Sequence, residues 1–174
     1  MKTLPVFLFL SLCVLLAGCC KKDTPQPLDQ LPAATQEGKN TFGCLLNGQA
    51  WTPKGYNGTS NYSVSYDPTF SGGSFDIAVY RLDKNNTQYL YIYSDGINAI
   101  GSYSLTDPHK GASTFINDNQ CTYDRSNNIY RKGSLTITQL DLNKGIISGT
   151  FEFTLAKPGC DTIRVTNGRF DKQL

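Results

Sequence analysis

Ser134-Leu135-Thr136-Ile137-Thr138-Gln139-Leu140 is followed by Asp141-Leu142-Asn143-Lys144-Gly145 and then by Ile146-Ile147-Ser148-Gly149-Thr150-Phe151-Glu152-Phe153-Thr154-Leu155. In the first run Leu135 and Ile137 face one way and Thr136 and Thr138 the other. In the last, Ile147, Phe151 and Phe153 share an apolar face, while Ser148, Thr150, Glu152 and Thr154 share a polar one. A period of two marks strands with one buried face. Asp141 to Gly145 supplies the turn, with Gly145 able to take a left-handed backbone. Lys157-Pro158-Gly159 then turns the chain into Thr162 to Phe170, with Ile163 and Val165 inward. If both turns make tight hairpins, Thr136 lies opposite Thr150 and Glu152 opposite Arg164. An opposite-charge pair of that kind contributes about 0.2–1 kcal/mol.

The same alternation runs outward from this segment. Thr41 to Leu46 is apolar and ends in Asn47-Gly48, a strong hairpin signal. Gln49 to Thr52 returns with Trp51, and Pro53 stops it. Asn61 to Tyr66 and Ser74 to Leu82 alternate, the latter with Phe75, Ile77 and Val79 on one face. Gln88 to Ser94 places Leu90 and Ile92 on one side and Tyr89, Tyr91 and Tyr93 on the other. Ala99 to Leu105, Ser113 to Ile116 and Gln120 to Asp124 read as further strands, and Thr106 to Gly111 reads as loop. No segment after residue 38 keeps a period of 3.6. The expectation is an all-β antiparallel domain of about nine or ten short strands, meander-like. Alternation alone leaves a two-sheet sandwich and a flattened barrel both open.

The composition agrees. The formal charge is +2 and glutamate occurs only at Glu37 and Glu152. Without a basic stripe, nucleic acid is excluded as a partner. Residues 38–174 are enough for one domain burying about two-thirds of its unfolded surface.

The N-terminus carries its own signal. Lys2 precedes an apolar run from Leu4 to Leu16, the size of a signal-peptide core and too short to span a bilayer as a helix. Leu16-Ala17-Gly18-Cys19 follows, the lipobox of a bacterial lipoprotein. Small residues admit the backbone to the peptidase, the Cys19 thiol takes the diacylglyceryl group, and cleavage between Gly18 and Cys19 frees an amine for a further acyl chain. Several chains anchor far more firmly than one. The expected organisation is a signal peptide over 1–18, a lipidated flexible tether over 19–37 rich in Pro, Gln and Thr, and one β domain over 38–174. The expected location is the outer membrane, facing the periplasm or the cell surface. In that oxidising setting a disulfide is expected. The favoured pair is Cys121 with Cys160, leaving Cys44 as a free thiol in a core strand.

The runs Thr41-Phe42-Gly43-Cys44-Leu45-Leu46-Asn47-Gly48 and Trp51-Thr52-Pro53 resemble the opening of a family of small Bacteroidota lipoproteins known only as a domain of unknown function. Gly133-Ser134-Leu135-Thr136-Ile137-Thr138, Ile147-Ser148-Gly149-Thr150-Phe151-Glu152-Phe153 and Val165-Thr166-Asn167-Gly168-Arg169-Phe170 resemble its ending. The resemblance implies one compact β domain behind a lipoprotein signal. It transfers no catalytic residue and no ligand.

Reactive constellations are sparse. His109 is the one imidazole and sits in a loop, so no Ser-His-Asp set forms away from it. The cysteine spacings do not suit zinc, and no metal or cofactor is expected. Asp141 to Gly145 lacks the later bidentate acid of a calcium loop. Asn57-Gly58-Thr59 and Asn61-Tyr62-Ser63 match a glycosylation pattern but read as polar loop. Most aspartates sit in turns, leaving Asp76 and Glu152 within strands as the carboxylates for a hydrolase reading. The feature most suggestive of a ligand is the stripe Tyr89, Tyr91 and Tyr93, with Trp51, Tyr62, Tyr66 and Tyr80 as further members of an aromatic platform. Such rings bind sugars or peptides by stacking and hydroxyl hydrogen bonds. The leading expectation is a non-enzymatic, monomeric binding or structural module. A barrel carrying a small apolar molecule among Ile77, Ile92, Ile137 and Phe151 is the alternative, and a carboxylate hydrolase the third.

Overall fold

The computed structural model describes residues 24–84, 86–117 and 121–174. The signal peptide, Gly18, Cys19 and Cys20 lie outside the described residues. Twelve strands form two antiparallel sheets: β1 (Thr41–Leu46), β2 (Gln49–Trp51), β3 (Tyr62–Asp67), β4 (Ser74–Asp83), β5 (Asn86–Ser94), β6 (Gly101–Ser104), β7 (Thr106–Asp107), β8 (Gly111–Asn117), β9 (Thr122–Tyr123), β10 (Tyr130–Asp141), β11 (Ile146–Ala156) and β12 (Ile163–Gln173). The first sheet runs β2-β1-β12-β11-β10-β6. The second runs β3-β4-β5-β8, with β7 and β9 sharing the outer edge of β8. The sheets do not close on each other, which decides for the sandwich and removes the closed barrel. Ile77, Ile92, Ile137 and Phe151 are packed in the core between the sheets, not around a lumen.

Consecutive hairpins build β3-β4-β5 and β10-β11-β12, and two devices depart from a plain meander. β6 leaves the second sheet to pair with β10, and a single residue, the fully buried Leu105, separates it from β7 back in the second sheet. β7 falls in the stretch read from sequence as loop. Two residues carry no readable period, which is also why the strand count exceeds the expected nine or ten. At the other end of the chain, β1 inserts between β2 and β12, so the first and last strands are neighbours. Tyr62, at the start of β3, packs on Phe42 of β1 and under Lys172 of β12. Tyr66, further along β3, donates to the Ile97 carbonyl at 2.7 Å.

Register is set by bulges and by glycines. Thr136 pairs with Thr150, as parity requires. The Glu152–Arg164 pair does not form: Arg164 lies opposite Thr154. The β11–β12 connection is longer than a tight turn at Lys157-Pro158-Gly159: Leu155 opposite Ile163 is the pair nearest to it, which moves the partner of Arg164 by two residues. Further along, an extra residue in β12 near Asn167, whose φ is 52°, shifts register against both β11 and β1. Three glycines face phenylalanines directly across the ladder: Gly133 with Phe153, Gly149 with Phe170, and Gly168 with Phe151. A Cβ at Gly168 would stand 2.4 Å from Phe151 Cε2, and one at Gly149 2.8 Å from Phe170 Cε1. The Phe151 and Phe170 rings thus lie over the bare backbone of the neighbouring strand. Phe151 in turn stacks on Phe42, centroids 5.2 Å apart.

Residues 31–39, of which 31–37 are assigned from composition to a flexible tether, form a strap on the outer face of the first sheet. A short 3-10 turn, Pro27–Gln30, precedes it. Leu31 is buried, and Pro32 Cδ lies where a Cβ on Gly43 would be, 2.8 Å away. The strap is held by Asp171, only 1% exposed. Its carboxylate accepts from Thr35 Oγ1 at 2.6 Å, from the amides of Glu37, Gly38 and Lys39 at 3.1, 2.8 and 3.0 Å, and from Ser148 Oγ at 2.7 Å. Burial pushes the Asp171 pKa up, but the donors from Thr35, Lys39, Ser148 and Glu37 outweigh it and hold the group well below the usual carboxylate range. Polar composition could not reveal this, because most of the donors are backbone amides.

Two outcomes are expected. Gly168→Ala forces Phe151 to move and should lower stability by roughly 1–3 kcal/mol in chemical denaturation; an unchanged midpoint would refute the close packing. Asp171 has a depressed folded-state pKa, so its stabilisation is full above the unfolded value of about 3.9 and is lost as pH falls through the folded value. Asp171→Asn should cost about 2–3 kcal/mol at neutral pH and flatten the acid limb of a stability–pH curve. An acid limb identical to that of the parent protein would exclude this role.

Candidate functional site

Alternation along β5 buries Leu90 and Ile92 and turns Tyr89, Tyr91 and Tyr93 to the outer face of the second sheet. Across the ladder to β4 these three face Tyr80, Ala78 and Asp76, and across to β8 they face Ile116, Thr114 and Ala112. Ser63 and Ser65 of β3 continue the rows beyond Ala78 and Asp76. The middle row is therefore Ser63, Ala78, Tyr91 and Thr114, in which Tyr91 is the one tall side chain. It is 36% exposed, and its ring is nearly parallel to that of Tyr89, with 6.3 Å between centroids and 7° between planes.

A loop stands on each side of this row. On one, the connection from β2 to β3 folds over Tyr80. The Tyr80 hydroxyl donates to the Thr59 carbonyl at 2.6 Å and accepts from the Asn57 amide at 3.2 Å. Asn57 Oδ1 accepts from Thr59 Oγ1 at 2.9 Å, and Asn61 Nδ2 donates to the Gly55 carbonyl at 2.9 Å. On the other side, the Arg125 guanidinium lies 4.3 Å above the centre of the Tyr93 ring, a cation–π contact. Its loop is tied by Asp124, which accepts from the Ser126 amide at 2.9 Å, and by Arg131, which donates to the Asp124 carbonyl at 2.6 Å. Both walls are thus fixed in advance of any ligand.

The Arg125 side is charged. The Tyr93 hydroxyl donates to Asp95 Oδ2, and that bond, with burial adding to it, pushes the phenol up to about 12. Burial raises the Asp76 pKa, Arg125 pulls it back and Asp95 raises it again. Burial also raises Tyr91, with Tyr89 contributing. The surface offers one accessible ring face, phenolic hydroxyls, and a carboxylate and a guanidinium at one edge.

Other residues named from sequence lie elsewhere. Trp51 is a correction: it is 3% exposed, edge-on to Phe42 and donating to Gln88 Oε1 at 2.7 Å, so it belongs to the core. Tyr62 also faces inward, because the alternation of β3 puts Ser63 and Ser65 outside; Tyr66 lies on the same inward side. Asp76 and Glu152 occupy the outer faces of opposite sheets with the core between them, so they cannot flank one glycosidic bond. His109 is exposed in a turn where its amide donates to Asp107. Asp141 accepts from the amides of Asn143 and Lys144, the bonds of a turn. Among the described residues no three or more His, Cys, Asp or Glu side chains are grouped for a metal. Cys121 and Cys160 are joined by a disulfide, and Cys44 is a free, buried thiol that desolvation pushes up to about 12. Beside the disulfide is a cleft of about 350 Å³ lined by Leu46, Gln88, Phe115, Tyr123, Asp161 and Ile163. Sequence reasoning missed this cleft and Arg125, both of which depend on loops meeting across the sandwich.

Residues 46–172 match the model of a family described as Domain of unknown function (DUF6252). The chain belongs to this family. No curated protein and no solved structure matches it. The DUF6252 match begins at the last residue of β1, so the strap and nearly all of β1 lie outside it although both are built into the first sheet.

Arg125→Ala should raise the Asp76 titration midpoint, since it removes the one cation lowering it. Carboxyl carbon shifts followed by NMR against pH would show this, and an unmoved midpoint would mean that Arg125 does not act on Asp76.

Proposed function

We propose that this DUF6252 protein is a lipid-anchored, monomeric envelope protein whose β domain is a non-enzymatic binding module, with the row centred on Tyr91 as its ligand face. The observation that carries the reading is the preformed surface: an exposed ring in an open row of small side chains, between two loops already tied by their own hydrogen bonds. Pre-organisation of this kind lowers the entropy cost of binding. The exposed ring and neighbouring hydroxyls suit a sugar ring, which pairs an apolar C–H face with polar edges. A glycan is the ligand class we favour over a peptide. The lipobox Leu16-Ala17-Gly18-Cys19 supports attachment through Cys19 and a place in the outer membrane of a Bacteroidota-type envelope, on its periplasmic or its outer side.

The test is binding of the detergent-solubilised mature protein to a panel of envelope oligosaccharides, with Tyr91→Ala beside it. Loss of one stacking ring should weaken binding about tenfold, equivalent to ~1.4 kcal/mol, while the melting temperature stays unchanged. Equal affinity in the two proteins would sink the tyrosine face as the site.

A further inference from the structure

The first described residues lie at one particular edge of the sandwich, and that edge carries exposed apolar side chains. Leu31 is the first residue seated on the sheets, and the 3-10 turn Pro27–Gln30 stands directly before it. Gln30 and Leu31 line one groove together with Thr52, Pro53 and Asn61, which sets the turn beside the start and the end of the β2–β3 connection. Two large apolar side chains on these segments face solvent. Leu28 is 45% exposed, and Tyr56 is 76% exposed, the highest value for a large apolar side chain among the described residues. Neither belongs to the buried core, and the Tyr56 hydroxyl donates to the Gly58 carbonyl at 3.1 Å.

We propose that this edge, through Leu28 and Tyr56, rests on the surface of the lipid bilayer. The inference relies on the reading that Cys19 is lipidated. From Cys19 to Leu28 the chain can span at most about 30 Å, even fully extended. The strap then prevents the domain from paying out more chain, because Asp171 holds residues 35–39 and Gly43 seats Pro32. The domain is therefore confined close to the membrane with this edge leading. Tyrosine is suited to the headgroup level and leucine to the acyl boundary.

The experiment uses the full-length protein, matured in an envelope-bearing bacterium and reconstituted into vesicles of phosphatidylethanolamine and phosphatidylglycerol. A photoreactive benzophenone amino acid replaces Leu28, Tyr56, Tyr91 or Leu142, one at a time. All four positions are exposed, so folding is checked by melting temperature. Mass analysis of the N-terminal peptide reports lipidation at Cys19. With Cys19 lipidated, light should yield lipid adducts from positions 28 and 56 at least about fivefold above those from 91 and 142. Equal yields at all four positions would overturn the membrane contact while leaving the anchor intact. Protein–protein adducts at 28 and 56 in place of lipid would assign the edge to a second copy and also overturn it. An unmodified Cys19 would remove the anchor and the contact together.

Discussion

The carboxylate of Asp171 organises the first sheet. A buried anion is costly unless it is fully hydrogen-bonded, and replacing its hydration takes several donors at once. Here they come from two stretches of chain: β11 through Ser148, and the strap through Thr35 and through three successive amides. The strap cannot leave without stranding the charge, and the charge cannot be buried without the strap. This reciprocity turns a Pro- and Gln-rich leader into a structural element. It also steadies β1, which enters the sheet immediately after the strap and pairs with β12 alongside Asp171.

The two sheets share their roles unequally. The first carries the glycine–phenylalanine pairs, the bulge at Asn167 and the strap, features that fix register and leave little freedom. The second is a simpler ladder whose inward residues include Phe75, Ile77, Val79, Leu90, Ile92 and Phe115. Because that ladder needs one face for the core, its other face is released from packing duty. Tyr91 stands on this released face, with its surroundings shaped by loops and not by strand packing.

Much of this was legible in the sequence. Strong alternation located β4, β5, β10, β11 and β12 within a few residues, since one buried face imposes a period of two. Asn47-Gly48 marked the β1–β2 hairpin, and both residues have positive φ there. The failures came where alternation carries no signal. Trp51 sits on a three-residue strand, too short for alternation to show which way it points. The Glu152–Arg164 pairing assumed a tight turn at Lys157-Pro158-Gly159, and the longer connection moved the partner of Arg164 to Thr154. Asp171 looked like one more polar residue near the C-terminus, because the amides it binds have no side-chain signature. The tyrosine row itself was readable, but the loops that wall it, and Arg125 over Tyr93, were not.

The pairing of the first strand with the last sets the order in which the molecule can assemble. Gly38 and Asp171 meet across 133 positions of sequence. A chain emerging residue by residue can form the β3-β4-β5 ladder early, from local contacts. It cannot seat β1, bury Asp171 or close the first sheet until β12 has been made. Long-range closure of this kind is intrinsically late in folding. The first sheet therefore stays open through most of the chain's synthesis and locks only when its tail arrives.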